Sequence, residues 1–468
     1  MNLIDFFNID LEICGIAIDS RKTMDGYLFI CVDGINNDGH QYASAAVENG
    51  AICVISNKKV EVSVPNIIVD DTSALFSKLC NAFYNYPTEN LTMIGITGTD
   101  GKTTTTSIIN QMLDYSGYIG TNGIIYNDKE YMLGHTTTPE ADELFRVLND
   151  MKNSGIKYVN LEVTSHAIAL KRTSEIDFNV LGLTNITSEH LDMHGTLDNY
   201  IKTKLKMFDY DANVKILNAD DKYFNLFKKE IDSYLSYGVE NNADYFAKNI
   251  ICGIDYLEYT LVFDKKDYVV RVNLIGKFNV YNTLLAIVVC HNLGYSIEET
   301  ISMLQKVKPV AGRANFINGD HDFAVVIDFA HTPEGIRQIT KYFKDLNKNV
   351  ISVIGSAGDR DKSKRFEIGL TVSENSNHII LTNEDPRSED ELAIINDIAC
   401  GCNNNNYEII IDRTLAIKKA IDMAQTGDVV LLLGKGIENS IEYSDGEKPY
   451  SEIGVVKDHL VNLGYKLD

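Results

Sequence analysis

The sequence predicts an α/β fold in which parallel sheets carry ligands at the ends of their strands. Three observations predict it. An apolar strand containing Ile94 and Ile96 leads through a glycine-rich turn into a helical pattern near Thr103. Apolar strands then alternate with helical stretches along the rest of the chain, which is typical of parallel sheets. Several of these strands end in polar clusters, and such sheets bind ligands beyond the carboxyl ends of their strands.

The glycine-rich turn, Gly98-Thr99-Asp100-Gly101-Lys102-Thr103, has the composition of a shortened phosphate loop. Backbone N–H groups and a helix N-terminus converge there, which suits a polyphosphate. We expect Lys102 to reach the terminal phosphates and the Thr103 hydroxyl to bind Mg²⁺. Ile96 stands where the full eight-residue pattern has a glycine. A plain glycine-rich turn with a chance lysine is the alternative.

Length and charge limit the classes of function. A chain of 468 residues predicts about three domains. Lys and Arg number 43 against 66 Asp and Glu, a net charge of −23, which disfavours a nucleic-acid partner. No apolar run approaches the roughly 20 residues of a membrane span, and the first residues lack a basic export region. We expect a cytoplasmic monomer with no membrane partner and with reduced cysteines.

The first predicted domain, residues 1–88, mixes short strands with helical patterns. Asp19-Ser20-Arg21 and Asp38-Gly39-His40 stand beside apolar strands, and such residues can form the rim of a small-ligand site. A pair of capped turns is the alternative. A helical stretch at 72–84 and the breaker Pro87 close the domain.

The second predicted domain, residues 89–307, contains the phosphate loop and further strands at 157–163 and 180–185. Glu162 lies at the carboxyl end of the first of these strands. A carboxylate there is costly unless it binds a metal or an ion-pair partner, and both interpretations stay open. His190 and His194 have the i, i+4 spacing of a zinc pair, but no glutamate follows His190, and Gly195 indicates a loop. The basic stretch at 200–208 has the pattern of a solvent-facing helix.

The third predicted domain, residues 308–468, repeats the alternation. Strand candidates are 324–328, 350–355, 378–382, 408–411 and 428–434. Polar clusters accompany four of them, at 328–333, 358–362, 383–387 and 434–438. Because the carboxyl ends of parallel strands meet at one edge, these clusters predict a second ligand-bearing domain.

Together these segments resemble the Mur ligases, the ATP-dependent amide-bond-forming enzymes of peptidoglycan synthesis, and within that family the tripeptide synthetases. The resemblance covers essentially the whole chain. Its motifs, in family order, are residues 98–104, 137–141, 162–167, 184–196, 278–282, 312–313, 328–333, 358–365 and 385–387. Each motif alone is a weak signal, but so many in family order are specific.

The resemblance implies a three-domain architecture with a central P-loop ATPase sheet and a C-terminal Rossmann-like domain. The first domain would bind the UDP part of the substrate, the middle domain ATP and Mg²⁺, and the last domain the incoming amino acid. The implied reaction transfers the γ-phosphate of ATP to a substrate carboxylate, and an amine then attacks the acyl phosphate.

The resemblance also implies roles for individual residues. Mg²⁺ would be held by Thr103, Glu162, His190 and Lys204, the lysine as a carbamate formed with CO₂; Lys102, Glu162, His190 and Lys204 would be catalytic. ATP would contact Gly98, Thr99, Asp100, Gly101, Lys102, Thr103, Thr104, Asn279, Asn282, Arg313, Asp328 and His331. The UDP-muramoyl-dipeptide would contact Ser20, Thr137, Thr138, Thr164 and Arg172.

The implied amino-acid pocket contains Arg360, Glu384, Asp385, Pro386, Arg387, Gly434 and Glu438. In the family, Asp-Asn-Pro-Arg goes with meso-diaminopimelate, because the arginine pairs with the far carboxylate. Arg387 is retained here, and its guanidinium favours that diacid. Glu384 and Asp385 depart from the pattern, and Asp385 replaces an amide by an acid, so L-lysine or another diamino acid stays the alternative.

Other departures leave two further alternatives open. Asp100, Thr164 and Ile437 stand where the family usually has Asn, Ser and His. One alternative is a sibling ligase with a different substrate, and the other is a non-catalytic nucleotide-binding paralogue. The joint retention of Lys102, Glu162, His190 and Lys204 favours an enzyme.

Overall fold

The structure is a computed structural model that describes residues 1–34, 38–131, 136–187, 191–253, 256–403 and 406–467, without the side chains of Leu191 and Asp192. The chain forms two compact units. The first consists of Met1–Gly98, Thr105–Ile186 and Thr196–Ser236, and the second of Thr99–Thr104, Thr187–Gly195 and Tyr237–Asp468. Within the described residues, no helix is both long enough and apolar enough to span a bilayer.

The first unit begins with a small parallel sheet. Its elements are α1 (Ile4–Phe7), β1 (Gly15–Ala17), β2 (Tyr27–Ile30), α2 (Ala43–Glu48), β3 (Ala51–Ser56), β4 (Asn66–Ile68) and α3 (Thr72–Phe83), with 3-10 helices at Ser20–Lys22 and Gly39–Tyr42. The strands pair in parallel in the order β1-β2-β3-β4. Because alternate side chains of a strand point to opposite faces, Leu28 and Ile30 join one apolar cluster and Phe29 joins another.

The next elements along the chain build a larger sheet. They are β5 (Thr92–Thr97), α4 (Lys102–Met112), β6 (Ser116–Gly120), β7 (Gly123–Tyr126), β8 (Lys129–Tyr131), α5 (Ala141–Asn153), β9 (Tyr158–Glu162), α6 (Ser165–Ala169), β10 (Phe178–Leu183), α7 (Leu191–His194), α8 (Leu197–Leu205), β11 (Ala212–Asn218), α9 (Phe224–Glu230) and β12 (Leu235–Gly238), with 3-10 helices at Pro87–Asn90 and Lys206–Asp209. In the first unit the strand order is β11-β10-β5-β9-β6-β7-β8. Pairing is parallel from β11 to β6 and antiparallel from β6 to β8. β5 therefore ends between β9 and β10, where a central ligand site is expected.

The second unit carries an antiparallel group and a six-stranded sheet. Its elements are β13 (Tyr245–Cys252), β14 (Leu257–Phe263), β15 (Lys266–Val272), α10 (Phe278–Asn292), α11 (Ile297–Leu304), β16 (Asn315–Phe316), β17 (Ala324–Asp328), α12 (Pro333–Asp345), β18 (Val350–Ile354), α13 (Lys364–Asn375), β19 (His378–Leu381), α14 (Glu391–Ala399), β20 (Tyr407–Ile409), α15 (Arg413–Met423), β21 (Val429–Leu433), β22 (Ser440–Tyr443), β23 (Gly446–Pro449) and α16 (Glu452–Asn462). The six strands lie in the order β16-β17-β21-β18-β19-β20, and all neighbours except β16 and β17 pair in parallel. The predicted α/β class is therefore confirmed, and all five strands predicted in residues 308–468 exist.

Helices cover both faces of the six-stranded sheet. Val326 of β17 packs in one apolar cluster with residues of α12, α13 and α14. Its neighbours Val325 and Ile327 pack in another cluster with residues of α15 and α16. After β17, β18 and β19 the chain continues to one face of the sheet, and after β20 and β21 it continues to the other face. In doubly wound sheets such a change of face leaves a crevice at the carboxyl ends of the strands, and ligands bind there.

A buried ion pair between α15 and α16 connects these helices to the carboxyl edge of the sheet. Arg413 donates from Nε to Glu452 Oε2 at 2.8 Å and from Nη2 to Glu452 Oε1 at 2.9 Å, and both side chains are fully buried. Arg413 also donates to the carbonyls of Asn383 and Leu433, which follow or end β19 and β21. Burial lowers the pKa of Arg413, but the nearby Glu452 carboxylate raises it by more than burial lowers it. The net pKa is therefore raised, and the guanidinium stays charged.

Removing one partner of this pair should destabilise the domain strongly. We expect Glu452→Gln to lower the free energy of unfolding by roughly 3 kcal/mol, because a buried guanidinium loses its counter-charge. Urea denaturation followed by circular dichroism measures the loss. The exposed pair of Lys341 and Asp345 provides a control, and Asp345→Asn should cost less than about 0.5 kcal/mol. Equal effects of the two substitutions would contradict the assignment.

Candidate active site

The glycine-rich turn follows β5 and begins α4. Gly98 has φ +145° and Gly101 has φ +85°. A Cβ on Gly98 would collide with Thr184 Oγ1, and a Cβ on Gly101 would lie 2.5 Å from Asn282 Oδ1. Positive φ and close neighbours both require glycine at these two positions. The turn therefore has the closely approached backbone that a phosphate loop needs.

Several predicted ATP-binding residues meet at Thr99–Thr104 within the second unit. Lys102 Nζ donates to the carbonyl of Thr99 at 2.6 Å, and Arg313 Nη2 donates to Thr103 Oγ1 at 3.1 Å. Asn282 contacts Gly101 as described above, and Asn279 Oδ1 accepts from Asn282 Nδ2 at 2.8 Å. The structure thus places a lysine, an arginine and a buried amide pair around the loop.

Asp328, at the carboxyl end of β17, supports this arginine from behind. It accepts from the backbone N–H groups of Ala314 at 2.6 Å and of Ala330 at 2.7 Å, and so braces the turn that carries Arg313. Burial raises the pKa of Asp328, while nearby Arg313 acts in the opposite direction. The ring of His331 lies beside the same turn, with Nδ1 2.9 Å from the carbonyl of Phe329. Asp328 is therefore a brace, and direct contact with a nucleotide stays a prediction.

In the first unit, Glu162 is fully buried at the end of β9. Its Oε1 accepts from the N–H of Thr121 at 3.0 Å and from the hydroxyl of Tyr118, and its Oε2 accepts from Thr121 Oγ1 at 3.1 Å. Neither Tyr118 nor Thr121 was predicted from the sequence. The available signal was weak: Thr121 follows β6, another strand of the same parallel sheet, and so lies at the same edge as Glu162.

Lys204 is buried in α8, with 1% of the residue exposed. Its Nζ donates to the carbonyl of Gly98 at 2.8 Å and to Thr97 Oγ1 at 3.3 Å, and lies 4.9 Å from the centre of the Tyr200 ring. The interpretation of 200–208 as a solvent-facing helix holds for Lys202, whose side chain is 65% exposed, and is wrong for Lys204. His190, predicted to be catalytic and to bind metal, lies outside the described residues.

Four residues predicted to contact the UDP-linked substrate lie together. Thr138 Oγ1 donates to the carbonyl of Glu162 at 2.7 Å and lies 3.2 Å from Thr164 Oγ1, and Thr137 Oγ1 lies 3.3 Å from Thr121 Oγ1. Arg172 Nη1 donates to the carbonyl of Thr138 at 3.0 Å.

Arg172 also forms an ion pair with Glu140. Its buried Nε has no hydrogen-bond partner among the described residues. The fifth predicted contact, Ser20, is buried in a 3-10 helix of the small sheet, where its carbonyl accepts from Asn49.

The predicted amino-acid pocket lies at the carboxyl edge of the six-stranded sheet. Glu384 follows β19, and its side chain lies so close to Gly434, after β21, that a Cβ on this glycine would collide with Glu384 Oε2. That oxygen is buried without a hydrogen-bond partner among the described residues, and burial raises the pKa of Glu384. An unpaired buried carboxylate costs free energy, so this oxygen indicates a place for a donor.

The neighbouring charges of this pocket are paired. Lys435 is buried and binds Asp385 Oδ1 at 2.9 Å and Glu438 Oε2 at 2.6 Å. Arg387 Nε binds Glu442 Oε2 at 2.7 Å. Arg360 is exposed, and no described hydrogen bond or ion pair connects it with these residues.

Lys435 and Glu442 were not selected from the sequence. Lys435 stands inside a selected cluster, but Glu442 belongs to a hairpin that carries no motif.

Family models match three parts of the chain. The model described as the catalytic domain of the Mur ligase family matches residues 12–84, the Mur ligase middle domain matches 96–290, and the glutamate ligase domain of Mur ligases matches 312–436.

Curated relatives and a solved structure are similar over nearly the full length. A UDP-N-acetylmuramoyl-L-alanyl-D-glutamate--2,6-diaminopimelate ligase of Halalkalibacterium halodurans is 37% identical, covering 93% of this chain and 91% of the relative. Ligase 1 of the same name from Clostridium acetobutylicum is 38% identical, with 97% and 96% covered. A solved structure of a ligase of that name matches with a TM-score of 0.70 at 26% identity, and each chain is fully covered.

One buried oxygen of Glu384 has no hydrogen-bond partner in the described parts of the chain, which predicts a pH-dependent effect of removing the carboxyl group. Because the folded-state pKa is raised, the contribution of Glu384 to stability is present below the unfolded pKa and is lost as pH rises through the folded value. Glutamine is neutral throughout, so Glu384→Gln should gain about 1 kcal/mol relative to the original chain between about pH 5 and pH 8. Thermal unfolding at the two pH values measures the gain.

Glu374→Gln, an exposed change on α13, is the matched control and should show no pH-dependent gain. A loss of stability at the higher pH on removal of the Glu384 charge would mean that the carboxylate has a charged partner in the folded state.

Proposed function

Because the chain belongs to the Mur ligase family, as its motifs predicted, we propose that it is an ATP-dependent acid–amino-acid ligase. The proposed reaction adds meso-2,6-diaminopimelate to UDP-N-acetylmuramoyl-L-alanyl-D-glutamate in peptidoglycan synthesis. The observation that carries it is the similarity, over nearly the full length, to ligases of that name, at 37% and 38% identity. The Arg387 guanidinium, retained after β19, supports the diacid as the amino acid.

In this reaction two anions must approach each other, the γ-phosphate of ATP and the substrate carboxylate. Lys102 and Arg313, which both lie against the loop, offset that repulsion. The loop N–H groups and the start of α4 hold the phosphates in place. The γ-phosphate passes to the carboxylate, an amine attacks the resulting acyl phosphate, and phosphate leaves.

The residues proposed to bind Mg²⁺ fit that ion. Mg²⁺ prefers oxygen ligands, and Glu162 offers a buried carboxylate while Thr103 offers a hydroxyl. Mg²⁺ would shield the transferred phosphoryl group as a Lewis acid. Lys204 would join this set as a carbamate, since a lysine offers an anionic oxygen only after reaction with CO₂. His190 is the remaining ligand in the proposal.

The other substrates follow from the polar groups already described. Arg172, whose buried Nε has no partner among the residues that the structure describes, suits the carboxylates of the muramoyl-dipeptide, next to Thr137, Thr138 and Thr164. Ser20 would contact the uridine.

The incoming amino acid would be held by Arg387, Glu438 and Gly434, with Arg360 and Pro386 at the rim of the pocket. The negative charge that Asp385 adds is offset by Lys435, which removes one objection to a diacid.

L-lysine is the second candidate, and one observation favours it. Arg387 already binds a carboxylate of the chain, Glu442, so its charge is partly neutralised before any substrate arrives. A monocarboxylic diamino acid does not need that guanidinium.

We place the enzyme in the cytoplasm, where ATP and UDP-linked precursors are available.

Phosphate release tests the function. Purified protein with UDP-muramoyl-L-Ala-D-Glu, ATP and Mg²⁺ should release phosphate on addition of a diamino acid, with the highest kcat/KM for meso-diaminopimelate. Turnover with lysine alone would replace the diacid in the proposal. Absence of release with every amino acid would favour a sibling ligase or a nucleotide-binding paralogue.

The carbamate on Lys204 predicts a specific rescue. Lys204→Ala should lower kcat by at least about 100-fold, because a ligand of the shielding ion is lost. Added short-chain carboxylates should restore part of the activity by supplying the missing anionic oxygen. Phosphate release with and without acetate measures both effects.

The control for this rescue is Lys202→Ala in the same helix, where Lys202 makes an exposed ion pair with Asp198. It should retain activity and should not respond to acetate. Full activity of Lys204→Ala would remove Lys204 from the proposed metal site.

A further inference from the structure

The guanidinium of Arg387 is already engaged by groups of the protein. Its Nε donates to Glu442 Oε2 at 2.7 Å, and its Nη1 donates to the carbonyl of Gly358 at 3.0 Å. The Arg387 side chain is 19% exposed and that of Glu442 is 37% exposed. The pair is therefore reachable by a solute, while Arg387 is mostly enclosed.

Backbone contacts fix Glu442 in this position. Glu442 lies in β22, and its N–H donates to Asp385 Oδ1 at 2.8 Å while its carbonyl accepts from the N–H of Arg387 at 3.0 Å. Asp385 is held from its other side by the buried Lys435. The β22–β23 hairpin is thus fastened to the loop after β19, and the Glu442 carboxylate stays beside Arg387 because its backbone is held there.

A guanidinium binds one carboxylate well in its fork, and a second carboxylate on the same group meets the charge of the first. A substrate carboxylate that uses Arg387 must therefore displace Glu442 or bind beside it. A substrate without that carboxylate meets no such cost. The Arg387–Glu442 pair thus weakens the binding of an amino acid with a distal carboxylate and does not affect the binding of one without it.

We propose that Glu442 is a specificity-determining residue, whose carboxylate competes with the distal carboxylate of the incoming amino acid for Arg387. This rests on the proposed function, in which Arg387 receives that carboxylate. Glu442 narrows the preference for a diacid over a diamino monocarboxylic acid. The competing interpretation is a purely structural pair that only fastens the hairpin.

Steady-state kinetics of Glu442→Gln test the competition. The KM for meso-diaminopimelate should fall about three- to fivefold with kcat nearly unchanged, as for the loss of one partly exposed charge interaction. The KM of L-lysine, or its inhibition constant where it is not turned over, should stay within about twofold. Glu447→Gln is the control, since Glu447 is the cross-strand partner of Glu442 in the hairpin and carries the same charge. It should not produce the selective fall in the KM for meso-diaminopimelate.

Calorimetry with meso-diaminopimelate alone gives a second readout that needs no turnover. Tighter binding to Glu442→Gln than to the original chain supports the competition. A rise or no change in KM for the diacid, an equal change for both amino acids, or equal or undetectable binding to the two proteins overturns it. Failure of the proposed function is recognised separately, by the absence of phosphate release from the unaltered protein.

Discussion

The close approach of backbone around Gly98 is the constraint on which the first unit's site depends. Thr184 Oγ1 donates to the carbonyl of Thr97 at 3.2 Å and occupies the space where any side chain at position 98 would lie. The carbonyl of Gly98 in turn accepts from Lys204. One peptide therefore links the start of the phosphate loop with the buried lysine. A change in the backbone at Gly98 would therefore move an acceptor of Lys204.

The enclosed charged side chains differ in how the protein satisfies their hydrogen-bonding groups, and this difference distinguishes the buried ion pair from the proposed binding residues. Arg413 and Glu452 form a bidentate pair, and two carbonyls accept further bonds from Arg413, so each guanidinium nitrogen has a partner. Within the part of the chain that the structure describes, one buried oxygen of Glu384 and the Nε of Arg172 have no hydrogen-bond partner. Because such groups destabilise a folded protein, their presence among the proposed binding residues is expected if a substrate supplies the missing partner.

The sequence predicted the parallel sheets well, since short apolar strands between helical stretches have few other solutions. The strand at 324–328 has the bounds of β17, and α4 begins at Lys102, one residue before the expected start. Lys204 is a residue whose burial the local sequence pattern could not predict. Its segment is basic and helical, and only the family resemblance separated it from the exposed Lys202. The Tyr118 hydroxyl reaches Glu162 from another strand, so spacing along the chain held no signal for it.

The departures from the family motif in the amino-acid loop make sense as one connected change of charge. Asp385 brings a carboxylate where an amide is usual, and Lys435 with the Glu442 N–H holds it. The same contact brings the Glu442 side chain to Arg387. An amide at 385 could still accept that N–H, but it would lose the charge attraction to Lys435. The acid at 385 therefore strengthens the contact that keeps Glu442 on the guanidinium, and the charge of the pocket is set by the loop and the hairpin together.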